Sequence, residues 1–277
     1  MYLNKGDLIM LIIGENLNST REKVRKMIEQ RDIKNIQKLA HKQVERGASM
    51  LDVNASAANG NREENLGWLV RTVQETVKIP LCIDSPDAGE IEKGLKAYNW
   101  SFGKALINSI TAEQEKIARL LPVLKKYKCA VIALVMDERG IPDNAQTRIE
   151  IACELINTLT RSGMPLADIY IDPLVVPVGT NDENGLIVLD TILGIKESFP
   201  EVKTIIGLSN ISFGLPERKL LNQVFMLLTM AFGIDAAIVD PTDKRLMAFI
   251  KVAKTLLGED PFCAEYIKAF RAGELSF

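Results

Sequence analysis

The sequence predicts an α/β chain closed into a (β/α)8 TIM barrel, and three observations predict it. Eight short apolar runs alternate with helical patterns along the 277 residues. Most of these runs are apolar throughout, as expected of strands covered on both faces. The length suits eight βα units, which take about 250 residues. An open doubly wound sheet is the alternative, but it usually carries a glycine-rich phosphate loop. Neither GxGxxG after the first strand nor GxxxxGK[ST] is present. No Pro/Ser-rich linker or low-complexity segment divides the chain, so residues 1–277 read as a single domain.

Taken in order, the predicted strands are Ile9–Ile13, Met50–Val53, Leu81–Ile83, Lys104–Ile107, Ala130–Val135, Asp168–Ile171, Thr204–Ile206 and Ala236–Val239. The run Leu8–Ile13 is long enough for a weak signal-peptide core. However, Asp7 precedes it, and Gly14-Glu15-Asn16 follows in place of a small-residue cleavage site, which favours a strand. Between strands, apolar residues recur at three- and four-residue steps. The sets are Ile36, Leu39, Ala40 and Val44; Leu66, Leu69, Val70 and Val73; Ile117, Leu120, Leu121 and Leu124; and Leu220, Val224, Leu227, Leu228 and Ala231. Each is read as the core-facing stripe of a helix. Gly47, Gly163 and Gly233 fall where helices end, and glycine tolerates a left-handed C-cap.

The composition, 47% hydrophobic and 25% charged with a net charge of −2, gives no basic footprint for nucleic acid. The longest apolar runs, Leu8–Ile13 and Cys129–Met136, are too short to span a membrane. The four cysteines are widely spaced, without CxxC, and His41 is the one histidine. A cytoplasmic protein with no Cys/His metal site is expected, with Cys82 and Cys129 as core thiols. His41 lies mid-helix and is read as a surface or packing residue.

In a barrel, functional residues gather at the C-terminal ends of the strands. There the sequence places Glu15, Asp52 and Asn54, Asp84 and Ser85, Asn108 and Ser109, Asp137, Asp172, Asn210 and Asp240. Any one Asp or Asn can be explained as a helix N-cap. A set drawn from all eight strands instead describes a mouth for a ligand with several hydrogen-bond donors. No Lys or Arg lies in the ring, which argues against a phosphate as main ligand and against a Schiff base. Carboxylates suit a divalent cation, but the many amides fit a heterocycle with an N–C–N edge better. An ionised Asp accepts two hydrogen bonds from such an edge, and pterins carry it. Within Lys203–Pro216, a short strand ends at Gly207, Ser209 and Asn210 follow, and Pro216 opens a helical pattern. Gly207 permits close backbone approach; Asn210 and Ser212 have the alternative of capping the next helix.

Leu81-Cys82-Ile83-Asp84-Ser85, Leu106-Ile107-Asn108-Ser109, Tyr170-Ile171-Asp172-Pro173-Leu174 and Gly207-Leu208-Ser209-Asn210-Ile211-Ser212 resemble motifs of the pterin-binding, corrinoid-dependent methyltransferases. Ile12-Ile13-Gly14-Glu15, Leu51-Asp52-Val53-Asn54, Arg139-Gly140-Ile141-Pro142 and Asp235-Ala236-Ala237-Ile238 fit as well, so the resemblance covers nearly the whole chain in order. It implies a dihydropteroate-synthase-like barrel, a homodimer, and a methyl group moved between N5 of (methyl)tetrahydrofolate and the cobalt of a corrinoid. Asp84, Asn108 and Asp172 match the family's pterin-binding residues, with Gly207 and Ser209 beside them. Asn210 matches the catalytic residue at N5, and Arg218 an arginine near the ring. Glu15, Asp52 and Asn54 are supporting residues, and no metal ligand is implied. Phe213 departs from the pattern, where a polar residue is usual. No Asp-x-His-x-x-Gly loop occurs, so the corrinoid (cobalamin) is expected on a partner protein, and the direction of transfer leans toward methylcorrinoid to tetrahydrofolate. The alternatives are dihydropteroate synthase, which would want a base within Val175–Asp182, and a non-catalytic pterin-binding subunit, which would be expected to lose Asn210.

Overall fold

The computed structural model describes residues 10–276. Eight parallel strands close into a barrel in sequence order. They are β1 (Leu11–Asn18), β2 (Met50–Asn54), β3 (Leu81–Asp84), β4 (Leu106–Thr111), β5 (Ala130–Leu134), β6 (Ile169–Asp172), β7 (Lys203–Gly207) and β8 (Ala236–Val239). Closure comes from Leu11 to Gly14 of β1 registering with Ala236 to Val239 of β8. All eight expected strands exist. Ile9, the expected first residue of β1, lies outside the described residues. Lys104 is not in β4: it sits ahead of the strand and pairs with Asp168 at 2.6 Å. Val135 lies just beyond β5.

The helices are α1 (Glu22–Glu29), α2 (Ile33–Glu45), α3 (Arg62–Gln74), α4 (Ala88–Ala97), α5 (Gln114–Tyr127), α6 (Ala145–Arg161), α7 (Asn184–Ser198), α8 (Arg218–Ala231), α9 (Lys244–Leu256) and α10 (Ala264–Arg271). Gly47, Gly163 and Gly233 take φ of +100°, +95° and +89°, the left-handed geometry that ends a helix. Among the described residues no helix is long and apolar enough to cross a membrane. Cys82 and Cys129 are buried free thiols, and His41 is exposed beside Glu45.

Three apolar layers hold the barrel. One lies under α2 to α6, and a second lies between β7, β8 and α7 to α9. The third fills the interior with Ile13, Met50, Cys82, Leu106, Ile132, Tyr170, Ile205 and Ala236. The period-2 alternation of a strand carries these inward positions upward to Glu15, Asp52 then Asn54, Asp84, Asn108, Leu134, Asp172 and Gly207. The apolar plug is thus the floor on which the polar residues stand.

One helix contradicts its expected face. Leu220, Val224 and Leu228 of α8 point outward, half exposed, and Ala231 is exposed with them; of the expected stripe Leu227 packs partly against the core, which is faced by Gln223, Phe225, Met226, Thr229 and Met230. Gln223 keeps its amide satisfied by donating to the Asp243 carboxylate at 3.0 Å. The buried polar side is therefore stable, and the apolar stripe is left for solvent or a partner.

Candidate active site

The mouth begins with β2, β3 and β4. Asn54, Asp84 and Asn108 are register partners at one level of the barrel. Asn54 Nδ2 donates to Asp84 Oδ2 at 3.0 Å, and its Oδ1 accepts from Ser19 Oγ and from the Ser56 amide. That leaves the other Asp84 oxygen for a ligand. Asp52 lies one level lower, 2% exposed, with Asn108 Nδ2 at 3.4 Å from its Oδ1. Burial, then the charge of Asp84 above it, pushes the Asp52 carboxyl well above its usual range. Burial likewise lifts Asp84 to about 6. Burial thus makes Asp52 resist ionisation beneath Asp84. From this level Asp52 supports Asn108 and does not reach the mouth itself.

Across the barrel, Asp172 ends β6. Its Oδ1 accepts from the Leu174 amide at 2.8 Å, in a tight Asx turn. Burial raises this carboxyl to about 7, against the lowering effects of the Leu174 bond and of the Arg148 charge.

On the β7 side, Ser209 Oγ donates to Glu15 Oε2 at 2.8 Å, and Arg21 Nη2 pairs with Glu15 Oε1 at 2.6 Å. Burial raises the Glu15 carboxyl even so. Asn210 is exposed on the turn that follows β7, and among the described residues none of its side-chain atoms is engaged in a protein hydrogen bond. Its Nδ2 packs 3.2 Å from where a Cβ on Gly207 would sit, so the missing side chain there makes room for the amide. Arg218 clamps this loop from α8: its Nη2 donates to the Ser209 carbonyl at 2.7 Å and its Nε to Ser212 Oγ at 3.1 Å. The guanidinium lies 5.7 Å from the centre of the Phe213 ring, which is 67% exposed.

The helix-capping alternative fails for the ring. The side chains that cap helices are Asp32, Asn61, Asp87, Asn144 and Asp243. The α8 N-cap is Glu217, not Asn210 or Ser212. Asn54, Asp172 and Asp240 instead shape the loops that follow them, each accepting the amide two residues on. The ring is also not drawn from all eight strands. Asp137 belongs to an exposed ion pair with Arg139 at 2.6 Å, and β5 contributes Leu134, the register partner of Asp172.

Three mouth residues escaped the sequence analysis as site candidates. Arg21 neutralises Glu15. Asn16 Nδ2 donates to Asp240 Oδ1 at 2.6 Å. Ser19 orients Asn54. Arg21, an isolated cation in the loop after β1, was the one legible signal. A cavity of about 410 Å³ opens between Glu15, Arg21, Ser209, Arg218, Lys219 and Asp240, on the β1–β7–β8 side of the mouth. Among the described residues no three His, Cys, Asp or Glu gather in a group able to hold a metal ion.

The profile of a family described as pterin binding enzyme matches residues 14–240. The chain is 39% identical over 268 residues to a methylcorrinoid:tetrahydrofolate methyltransferase of Eubacterium limosum, covering 96% of this chain and 98% of that protein. It is 30% identical to a methionine synthase of Mycobacterium tuberculosis, across 84% of this chain but 20% of that larger protein. Among solved structures, dihydropteroate synthase from Xanthomonas albilineans in complex with 7,8-dihydropteroate superposes with a TM-score of 0.68, at 18% identity over 92% of this chain and 94% of that one. That likeness speaks for the barrel alone.

Proposed function

The chain belongs to the pterin-binding enzyme family as a methyltransferase acting between tetrahydrofolate and a corrinoid, and from that premise we propose how its mouth works and in which direction. The acid–amide ring of Asp84, Asn108 and Asp172, facing an exposed and unengaged Asn210, carries the proposal. The free oxygen of Asp172 and the carboxylate of Asp84 accept from the N–H groups of the pterin, and Asn108 supplies an amide. Asp52 orients Asn108, and Asn54 orients Asp84. Gly207 and Ser209 form the wall beneath N5, with Asn210 as the catalytic residue there. Arg218 holds the loop that carries it.

The transfer is a displacement in which N5 of tetrahydrofolate takes the methyl carbon while the cobalt–carbon bond breaks and its electron pair stays on cobalt. N5 then loses its proton. A corrinoid brought by a partner protein supplies the methyl-bearing cobalt, and in reverse a strongly nucleophilic Co(I). The open rim suits an approach from above: Asn210 and the 67%-exposed Phe213 both face solvent. Asn210 accepts from N5–H while the nitrogen is cationic and donates to its lone pair once neutral, so its bond strengthens as charge develops. Glu15, tied to the same loop through Ser209, holds a carboxylate near the proton that N5 must lose. Orientation provides the remaining catalysis.

The direction we favour is methylcorrinoid to tetrahydrofolate, in a demethylation pathway; the name of the Eubacterium limosum relative supports it. The partner is a corrinoid-binding protein, and the four free cysteines suit a cytoplasmic setting. We also propose that residues 1–277 act as one pterin-binding domain, in a homodimer formed through α7 and α8. Leu186 and Leu193 of α7 join Leu220, Val224 and Leu228 of α8 in an exposed apolar face, which fits a second copy of itself about a two-fold axis.

The test is an oxygen-free absorbance experiment with methylcobalamin and tetrahydrofolate. Conversion to Co(I) by the wild-type protein is expected. Asn210→Ala is expected to slow it about 10²- to 10³-fold, the scale for one lost transition-state contact, with pterin affinity affected less. Equal loss in rate and affinity would reduce Asn210 to a binding residue.

A further inference from the structure

Arg148 lies in the first half of α6 and is 1% exposed, the largest of the fully buried side chains. A buried charge without compensation costs several kcal/mol, so its surroundings have to explain it. Among the described residues no carboxylate pairs with it. Its Nε donates to the Pro142 carbonyl at 2.9 Å, and its Nη1 donates to the carbonyls of Pro173 at 2.7 Å and Leu174 at 2.8 Å. Pro142 belongs to the loop after β5. Pro173 and Leu174 are the two residues that follow Asp172. Leu174 takes a φ of +62°, a left-handed conformation unfavourable for a branched side chain, and its amide is the one that holds Asp172 Oδ1. One guanidinium therefore fastens both mouth loops flanking Asp172, and the turn it fastens is the turn that aims the carboxylate.

We propose that Arg148 is a positioning residue for pterin binding, fixing the Asp172 turn and setting a positive charge behind it. The proposal rests on Asp172 as a pterin-binding carboxylate. Arg148 touches no substrate; it acts through the Pro173 and Leu174 carbonyls and through its field. The groups around Asp172 leave this role to Arg148. On β5 its register partner is Leu134, and the inward residue at the end of β7 is Gly207. On the opposite wall Asp84 and Asp52 act on each other. Asp143, before α6, acts on Arg148. Burial drives Asp172 up to about 7, and the Arg148 charge opposes that rise. Loss of Arg148 therefore loosens the turn that aims Asp172 and lets its carboxyl rise further, which weakens the acceptor for the N–C–N edge.

The experiment is calorimetric titration of tetrahydrofolate, without oxygen, into wild type, Arg148→Met, Arg148→Lys and Asp172→Asn between pH 5.5 and pH 9. Circular dichroism checks each fold. In wild type, affinity should rise with pH through the Asp172 titration near 7; Asp84 titrates in every protein and cancels in the comparison. In Arg148→Met the rise should move to higher pH, with affinity at pH 7 about tenfold weaker and the deficit narrowing toward pH 9. Arg148→Lys keeps the charge, but its compact ammonium lacks the planar fork that spans carbonyls on two loops, so it should keep the wild-type midpoint with weaker binding. It carries the test if Arg148→Met does not fold. A midpoint unmoved in Arg148→Met, or a loss equal at every pH, would overturn the proposal. Equal binding by wild type and Asp172→Asn would overturn the Asp172 assignment itself, a failure visible without touching Arg148.

Discussion

Replacing Asp172 with Asn should stabilise the empty protein while removing its ligand affinity. The carboxyl stands at about 7 in the fold against an ordinary 3.8, because burial disfavours its charge. A folded-state value raised above the unfolded one means that the protonated group contributes stability in full below about pH 4. That contribution is lost as pH rises through about 7. At about 1.4 kcal/mol per pH unit the full difference is on the order of 4 kcal/mol at pH 8. Asp172 keeps part of its surface at the mouth, which reduces the expectation to about 2–4 kcal/mol. Asparagine has nearly the same shape, keeps the oxygen that accepts from the Leu174 amide, and carries no charge. Its stability advantage should be about 2–4 kcal/mol in urea unfolding at about pH 8 and about 1 kcal/mol or less near pH 4.5. In thermal melts at pH 8 this is a rise of roughly 3–7 °C. Equal stabilities at pH 8, or a gap of the same size at both pH values, would refute the reasoning. Tetrahydrofolate binding should fall about 100-fold or more in the same variant, because a donor NH2 would face the donors of the pterin. The mouth would thus be shown to hold a strained charge that serves binding at the expense of stability.

Three further outcomes are expected. Gly207→Ala places a methyl group 3.2 Å from Asn210 Nδ2; the amide has to move, so kcat should fall about tenfold with KM little changed, read by steady-state methyl transfer. Lys196→Met removes the partner of the buried Asp235, which also accepts from Thr204 N and Thr204 Oγ1; an uncompensated buried charge should cost about 3–5 kcal/mol in urea unfolding, and a loss below about 1 kcal/mol would contradict that expectation. Val224→Glu, on the half-exposed stripe of α8, should convert a dimer to a monomer in light scattering; a wild-type monomer would remove the dimer assignment.

How far the sequence carried depends on which physical rule each residue obeys. The strands were legible because parallel strands covered on both faces must be apolar throughout. Their polar ends were legible because an apolar run that stops in Asp or Asn marks where the chain leaves the covered sheet for water or a ligand. Period alone does not say which way a stripe points. Leu220, Val224 and Leu228 recur at helical spacing and lie outside, because Gln223 is satisfied inside by Asp243, a pairing between α8 and the loop before α9 that no local pattern encodes. Asp137 illustrates a second limit. Counting polar residues after each strand placed it in the ring, whereas alternation from Ile132 puts Leu134 at the inward position.

Arg148 shows why the rest stayed hidden. In the sequence it is one arginine in a helix that also carries Gln146, Glu150 and Glu154, indistinguishable from a solvated residue. Its role exists only when α6 packs back on the barrel and meets the carbonyls of Pro142, Pro173 and Leu174. Residues that meet a ligand sit at positions set by their own strand and can be found by alternation. Residues that aim them sit on other elements, and their signal is a contact rather than a pattern. The Asp172 carboxyl and the Arg148 guanidinium are separated by 24 positions in the sequence, yet both bear on the Pro173–Leu174 turn, so an account of this mouth built from strand ends alone would predict the pterin contacts while missing what aims one of them.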